Sequence, residues 1–342
     1  MSRLRLAVLA LILSVVCAPR AWAWGCTGHE VVALIALQNL QSLDATHGTN
    51  VAQQVETLLA TQSHAYAGRY CSDPGLDPIA YFATWADDHR TTDPSTAPWH
   101  FWDIPLHVAS ATAGQYCDQG CVIQALQTQI PILQDKNADP TARVQALMFV
   151  LHFMGDMHQP LHEEDNNDRG GNCVPMTFLT TAPTAHSGGS YSPNLHGIWD
   201  TELVETIGKV QRKGSTAKAE IESFASSLGS TYSSRIKLAL AAQIDLVAWA
   251  NQAHAIAIAD PYTKVTPTIA PDPQTAPVTA STDNNTSARY FDLHETASQK
   301  YVTAVSKDVK GQLALAGARL ANVLYNTLNP PAASAGTPAS AG

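Results

Sequence analysis

Apolar residues recur at three- and four-residue intervals along most of the chain, the spacing that lines one face of an α-helix. The pattern predicts helices from Val31 to about Leu40, then over 51–61, 78–90, 121–134 and 141–159. Thr27 and Glu30 precede the first run with the spacing of a capping box, and Pro78 suits a first helical turn. Later runs predict a short helix from His196 to about Ile207, another over 216–228, a long alanine-rich one over 232–259, and a last one from about 289 to 328. The pattern lapses over 91–119, apart from the dense patch Trp99-His100-Phe101-Trp102-Asp103-Ile104. It lapses again over 163–195, where acidic, Gly, Asn, Ser and Pro residues predict a long loop with a short β-hairpin around 173–181. Residues 263–288 are rich in Pro, Thr and Asp and read as irregular; residues 330–342 read as a disordered tail. Val/Ile runs of strand type are few. The expected fold is all-α: a single mostly helical domain over 24–329, because the last helix is too amphipathic to stand alone.

Composition agrees with a globular chain. Of 342 residues, 45% are apolar and 14% charged, enough for a sizeable core. Residues 1–23 have the form of a secretory signal: Arg3 and Arg5, an apolar run from Leu6 to Val16, and the small-x-small site Ala21-Trp22-Ala23. The run is too short to span a bilayer. The expected mature protein starts at Trp24, is secreted or periplasmic, and has no membrane anchor. Removal of the signal leaves 17 basic and 29 acidic residues, a net charge of −12. Such a chain has no overall basic face for nucleic acid, so any phosphate it acts on needs bound metal or local arginines. Five cysteines remain, in a compartment that permits disulfides. Cys117 and Cys121 are the natural local pair. Of Cys26, Cys71 and Cys173 at most two can pair; the residues do not fix which, and Cys26–Cys71 is the pairing expected. Sequons at Asn284 and Asn285 matter only in a eukaryotic secretory route.

The polar residues inside the apolar runs carry the candidate chemistry. His152 and Asp156 are four apart in an otherwise apolar stretch, so they share a helical face and can hold one ion. His162 lies six residues beyond Asp156, past Pro160, and is expected to serve a different ion. His196 and Asp200 repeat the four-residue spacing. Three more places combine ligand-type groups: Trp24 with His29, where a free α-amino group and its carbonyl can chelate; Trp85-Ala86-Asp87-Asp88-His89-Arg90; and His100 with Phe101 and Asp103. Nitrogen and carboxylate donors suit zinc. One His-x-x-x-Asp alone reads as a salt bridge, but two on separate helices point to metal, since buried charge is costly without a partner. His47, His64, His89, His107, His158, His186, His254 and His294 read as surface or internally satisfied groups.

In this order the motifs resemble those of the S1/P1-type zinc-dependent nucleases, relatives of the zinc phospholipases C. The residues that carry the resemblance are Trp24-Gly with His29, Trp85-Ala-Asp87-x-x-Arg90, His100-Phe101-x-Asp103, His152-Phe-x-Gly-Asp156-x-x-Gln-Pro-Leu-His162, Gly170-Gly171-Asn172, Asn194-Leu-His196-x-x-Trp-Asp200 and a late Gly317-Ala-Arg319-Leu-Ala-Asn. The resemblance implies three zinc ions: one on Asp87, His100, His152 and Asp156; one on His162, His196 and Asp200; one on the amine and carbonyl of Trp24 with His29 and Asp156. It implies a monomer that cuts single-stranded DNA and RNA to 5′-nucleotides and removes phosphate from 3′-mononucleotides. Two close zinc ions acidify a shared water, giving a hydroxide nucleophile. Asp87 would orient it and Arg90 would neutralise phosphoryl charge. Phe101 would stack a base and Asp103 accept from its edge, with Asn172 and Val174 in the same pocket. The stretch from Ile104 to Ser110 has no lysine, where some relatives carry a basic residue. The rival expectations are a phospholipase C, whose set typically ends in His-x-x-x-Glu rather than His196 and Asp200, and a non-catalytic zinc-binding protein.

Overall fold

The computed structural model describes residues 24–62, 70–186, 191–265, 268–272, 291–293 and 295–330. The expected signal, His64, His294, both sequons and the tail beyond residue 330 lie outside the described residues. The helices are α1 (Cys26–His47), α2 (Val51–Leu59), α3 (Pro78–Phe82), α4 (Trp85–Thr92), α5 (Val122–Gln134), α6 (Pro140–Asp156), α7 (Leu195–Gly197), α8 (Leu203–Gly208), α9 (Ala217–Thr231), α10 (Ser233–Ala241), α11 (Leu246–Ala259) and α12 (Glu295–Leu328). A π-helical turn, Ile198–Glu202, joins α7 to α8. The fold is mostly helical, as the apolar spacing predicts.

Several boundaries depart from the pattern, each for a local reason. The helix expected over 78–90 is two, because Thr84 and Ala83 interrupt the turn between α3 and α4. The long helix expected over 232–259 breaks where Ala242 is extended; Asp245 then caps α11 by accepting from the Ala248 N–H at 2.9 Å. The helix expected to reach residue 159 stops at Asp156, and a 3-10 turn, Pro160–His162, follows. The Thr27–Glu30 capping box does not form. The Thr27 hydroxyl donates to Glu205, and Glu30 pairs with Arg212. The hairpin expected around 173–181 is also corrected. There β1 (Met176–Phe178) runs parallel to a distant strand, Phe291–Leu293, and the short antiparallel pair lies further on, between β2 (Thr184–Ala185) and β3 (Tyr191–Ser192).

Helix α1 lies along α12, the most extensive helix pair, and α5 lies along α6. Gly317 permits the first contact: a Cβ there would stand 2.5 Å from the Ile35 Cβ and 2.9 Å from the Val32 carbonyl oxygen. One continuous cluster of buried apolar side chains runs from Trp24 and α1 through α6 to Leu328. Disulfides join Cys26 to Cys71 and Cys117 to Cys121, and Cys173 is a buried thiol outside both. No helix among the described residues is long and apolar enough to cross a membrane.

The same substitution at two glycines of α12 should act with opposite signs. Gly317→Ala overpacks the α1 contact and is expected to destabilise by ~1–3 kcal/mol. Gly311→Ala, whose new methyl would meet nothing nearer than 3.6 Å, is expected to stabilise by ~0.5–1 kcal/mol through helix propensity. Urea midpoints of the two variants check this.

Candidate metal centre

The carboxylate of Asp156, at the C-terminal end of α6, is fully buried among imidazoles. His29 Nε2 of α1 lies 3.3 Å from its Oδ1. His100 Nδ1, at the end of a 3-10 turn, and His152 Nε2, one turn back on α6, lie 2.9 and 3.2 Å from its Oδ2. His162 Nδ1 is 3.9 Å from Oδ1. Asp87, on the first turn of α4, brings its Oδ1 within 3.8 Å of His152 Nε2 and 3.9 Å of His100 Nδ1. Beyond His162, the Nε2 atoms of His162 and His196 reach 3.7 and 3.3 Å from the two oxygens of Asp200. Three groups have donor atoms all within 4.8 Å of one another: His29, Asp87 and His152; His100, His152 and Asp156; His162, His196 and Asp200. Trp24 is buried at the edge of this array, and the Gly25 N–H donates to the Asp200 carbonyl at 2.8 Å. Gly155 lets α1 approach, since a Cβ there would lie 2.7 Å from His29 Nδ1.

Backbone carbonyls orient three of the rings. Nδ1 of His152 donates to Ala83 (2.7 Å), that of His162 to His100 (2.9 Å), and that of His196 to Gly170 (2.7 Å). Each bond fixes the tautomer and leaves Nε2 as a lone-pair donor facing the carboxylates. Gln159 holds Asp200 from behind: its Nε2 donates to Oδ1 at 2.7 Å while its own oxygen accepts from the Leu161 N–H.

Burial depresses His29, pushes His100 down to about 4 and holds His162 well below the ordinary imidazole range. Burial opposes ionisation of Asp156, yet His152, His100 and His29 outweigh it and hold its carboxyl well below the usual range. Burial would lower His152 too, but the charges of Asp156 and Asp87 keep it raised. Asp200 is pushed well above the carboxylate range by burial, against its bond from Gln159. Imidazole nitrogens beside carboxyl oxygens form a cation-binding donor set once a cation displaces the protons that His152 and Asp200 favour. The buried atoms His29 Nδ1 and Nε2, Asp87 Oδ1, Asp156 Oδ1, His162 Nε2 and Asp200 Oδ2 have no hydrogen-bond partner. Buried polar atoms in such number call for a ligand, and the nitrogen and carboxylate chemistry fits zinc.

The other predicted residues border this array. Arg90 is nearly buried, with Nη2 3.3 Å from Asp87 Oδ1. Phe101 is half-buried, its ring centroid 4.7 Å from His162 and 6.2 Å from His196, and Asp103 is exposed. Val174 packs in the core, and Asn172 donates to the Arg169 carbonyl within its own loop. His254 is an interior group, its two ring nitrogens each 2.7 Å from a carbonyl, those of Glu163 and Val108. Sequence reasoning gave no role to Gln159, although it lies inside a quoted motif. It also missed the buried acids beyond His162. The Tyr262 hydroxyl stands 2.6 Å from Glu164 Oε1 and 3.0 Å from Asp168 Oδ1, and Asp168 also accepts from the Gly171 N–H at 2.7 Å. One hydroxyl carries one proton, so a second proton is needed to satisfy both carboxyls.

The residues from 24 to 329 match the family model described as S1/P1 nuclease, and the chain belongs to that family. It is 30% identical to Nuclease S1 of Aspergillus oryzae over 190 residues, covering 54% of this chain and 55% of that protein. It is 30% identical to Nuclease P1 of Penicillium citrinum over 211 residues, covering 60% and 65%. It is 29% identical to Endonuclease 2 of Arabidopsis thaliana over 206 residues, covering 55% and 59%. The chain thus spans between about half and two thirds of the length of these relatives.

Burial, followed by Asp165, pushes Asp168 up to about 7, from 3.8. The native state then binds this proton more tightly than the unfolded chain does. Stability falls as pH rises through the window from about 4 to 7. Asp168→Asn stays neutral, so it should gain on the wild type by up to about 4 kcal/mol between pH 4 and 8. Paired urea titrations across that range measure the difference; a pH-independent difference contradicts the assignment.

Proposed function

We propose that this protein is a secreted or periplasmic tri-zinc phosphodiesterase, acting as a monomer through one domain over 24–329. Its substrates are single-stranded DNA and RNA, cut to 5′-nucleotides, and 3′-mononucleotides, which lose phosphate. The observation that carries the reading is the buried file of imidazoles and carboxylates with orphaned donor atoms, linked through Asp156. One zinc would take Asp87, His100, His152 and Asp156. A second would take His162, His196 and Asp200. The third would take His29, Asp156 and the amine and carbonyl of Trp24, freed by removal of residues 1–23. The 3.3 Å approach of His29 Nε2 to Asp156 supports the third set. The grouping of His29 with Asp87 and His152 also draws it toward the first.

Bound zinc would supply Lewis acidity, lowering the pKa of water and screening phosphoryl charge. The protein's own groups do the rest. Water adds across the P–O3′ bond: its oxygen joins phosphorus, and the departing O3′ takes up a proton. Asp87 orients the incoming water and accepts its proton. Arg90, held beside Asp87, offers its guanidinium to the phosphoryl oxygens. The half-buried Phe101 presents a ring face for the base of the leaving nucleotide. The exposed Asp103 accepts from that base's edge, and the loop with Asn172 and Val174 shapes the pocket's wall. A base on such a platform is out of a duplex, hence the single-stranded preference.

Two experiments test this reading. Metal-loaded protein beginning at Trp24 should hydrolyse single-stranded DNA, not phosphatidylcholine, and lose activity with a chelator. Cleavage of phosphatidylcholine alone makes it a phospholipase, and cleavage of neither leaves a non-catalytic zinc protein. A protein carrying one extra residue before Trp24 should bind about one zinc fewer per chain and lose at least about tenfold in activity, since a four-donor site binds poorly when two donors are withdrawn. An unchanged zinc count in that protein refutes the amine as a ligand.

A further inference from the structure

Each carboxylate of the metal centre has two oxygens, and the structure treats those of Asp156 and Asp200 differently. Asp156 turns both toward imidazoles: Oδ1 lies 3.3 Å from His29 Nε2, and Oδ2 lies 2.9 and 3.2 Å from His100 Nδ1 and His152 Nε2. Asp200 turns Oδ2 to its nearest ring, 3.3 Å from His196 Nε2, and that oxygen is buried with no hydrogen-bond partner. Its Oδ1 accepts from Gln159 Nε2 at 2.7 Å. Oδ1 also stands only 3.7 Å from His162 Nε2, so it is within reach of the same ion when nothing else claims it.

Gln159 cannot turn its amide over. Its Oε1 accepts from the Leu161 N–H at 2.7 Å, a group that only donates, while a carboxylate oxygen only accepts. A reversed amide would set oxygen against oxygen and N–H against N–H. The backbone of Gln159 is fixed by ligand residues on either side of it. Its N–H donates to the Asp156 carbonyl at 2.8 Å, and its carbonyl accepts from the His162 N–H at 2.9 Å. The side chain is fully buried. A donor held this rigidly loses little entropy on bonding, and a bond to a carboxylate is of the stronger kind. Gln159 therefore competes well for one oxygen of Asp200.

The coordination chemistry of zinc gives this bond a consequence. His162, His196 and Asp200 are three protein ligands, the number at which a catalytic zinc keeps a fourth position for water or substrate. A carboxylate bound through both oxygens would take that position itself. Nothing in the His196-x-x-x-Asp200 spacing decides between one oxygen and two; the hydrogen bond from Gln159 does.

We propose that Gln159 is a positioning residue that confines Asp200 to ligation through Oδ2, and thereby keeps a coordination position of the second zinc open for a phosphoryl oxygen. This role rests on the nuclease reading above, which assigns zinc to these three ligands.

Crystal structures of the zinc-loaded protein, its zinc count per chain and calorimetric titration with inorganic phosphate test the role. In the wild type, Asp200 should bind zinc through Oδ2 alone, with Oδ1 still on Gln159. Gln159→Met keeps the bulk of the side chain and removes the donor. It should bring both oxygens of Asp200 onto the ion, leave the zinc count unchanged and weaken phosphate binding about tenfold, the lower end of what loss of an outer partner to a metal ligand costs. A wild type with no zinc on Asp200, or with zinc on both its oxygens, overturns the role, and neither outcome needs a variant to fold. One-oxygen ligation or wild-type phosphate affinity in Gln159→Met overturns it too. So does joint loss of zinc and phosphate binding in that variant, which is what a merely structural role predicts. Wild-type protein that shows the expected Asp200 ligation yet cuts no single-stranded DNA instead defeats the nuclease reading and leaves the role of Gln159 in place.

Discussion

A carboxylate with no access to water must be matched by charge or hydrogen bonds from the protein around it, and Asp156 sets that condition for the whole centre. Its oxygens meet rings from α1, from the turn before Phe101, from α6 itself and from the turn after Pro160. Four separate pieces of chain are thereby drawn to one point. A buried charge of this kind costs several kcal/mol when left alone, so the elements that carry its partners cannot drift independently. The packing of α1 on α12 and of α5 on α6 can be read as scaffolding that brings those rings within reach of one carboxyl.

Acidity continues past His162. Glu163, Glu164 and Asp168 are buried and pushed toward their protonated forms, chiefly by desolvation. Their region also holds the loop that positions His196, through the Gly170 carbonyl on one side and the Gly171 N–H on Asp168 on the other. One wall of the centre is thus ionised around Asp156, while the next is built from acids that favour their protons. The polarity of the interior is organised by burial and hydrogen bonding rather than by the chain's net charge.

Residues that share a helix turn were legible in the chain itself. The His152–Asp156 and His196–Asp200 spacings hold in three dimensions, because helical phase is a local property; His162 groups with His196 and Asp200, although its Nδ1 also lies 3.9 Å from Asp156. What was not legible is what local phase cannot encode. Thr27 and Glu30 have the spacing of a cap, but partners 178 and 182 residues away claim both side chains. Met176–Phe178 finds its strand partner at 291–293, which no hairpin signal announces. The break at Ala242 escapes an alanine-rich pattern because one aspartate, Asp245, restarts the helix. Gln159 sits before Pro160 with no local signal of a role. Its role follows only from where Asp200 comes to lie.

The contact between Ile35 and the bare backbone at Gly317 has a consequence for the order in which the molecule is assembled. His29 rides on the helix that is made first, and that helix rests mainly on the helix that is made last. During synthesis α1 can meet α2 and α3 early, but the helix it packs on most extensively, α12, begins more than two hundred residues after α1 ends. The helices that carry His29 and Asp156 thus gain their shared backing, α12, only when the chain is nearly complete.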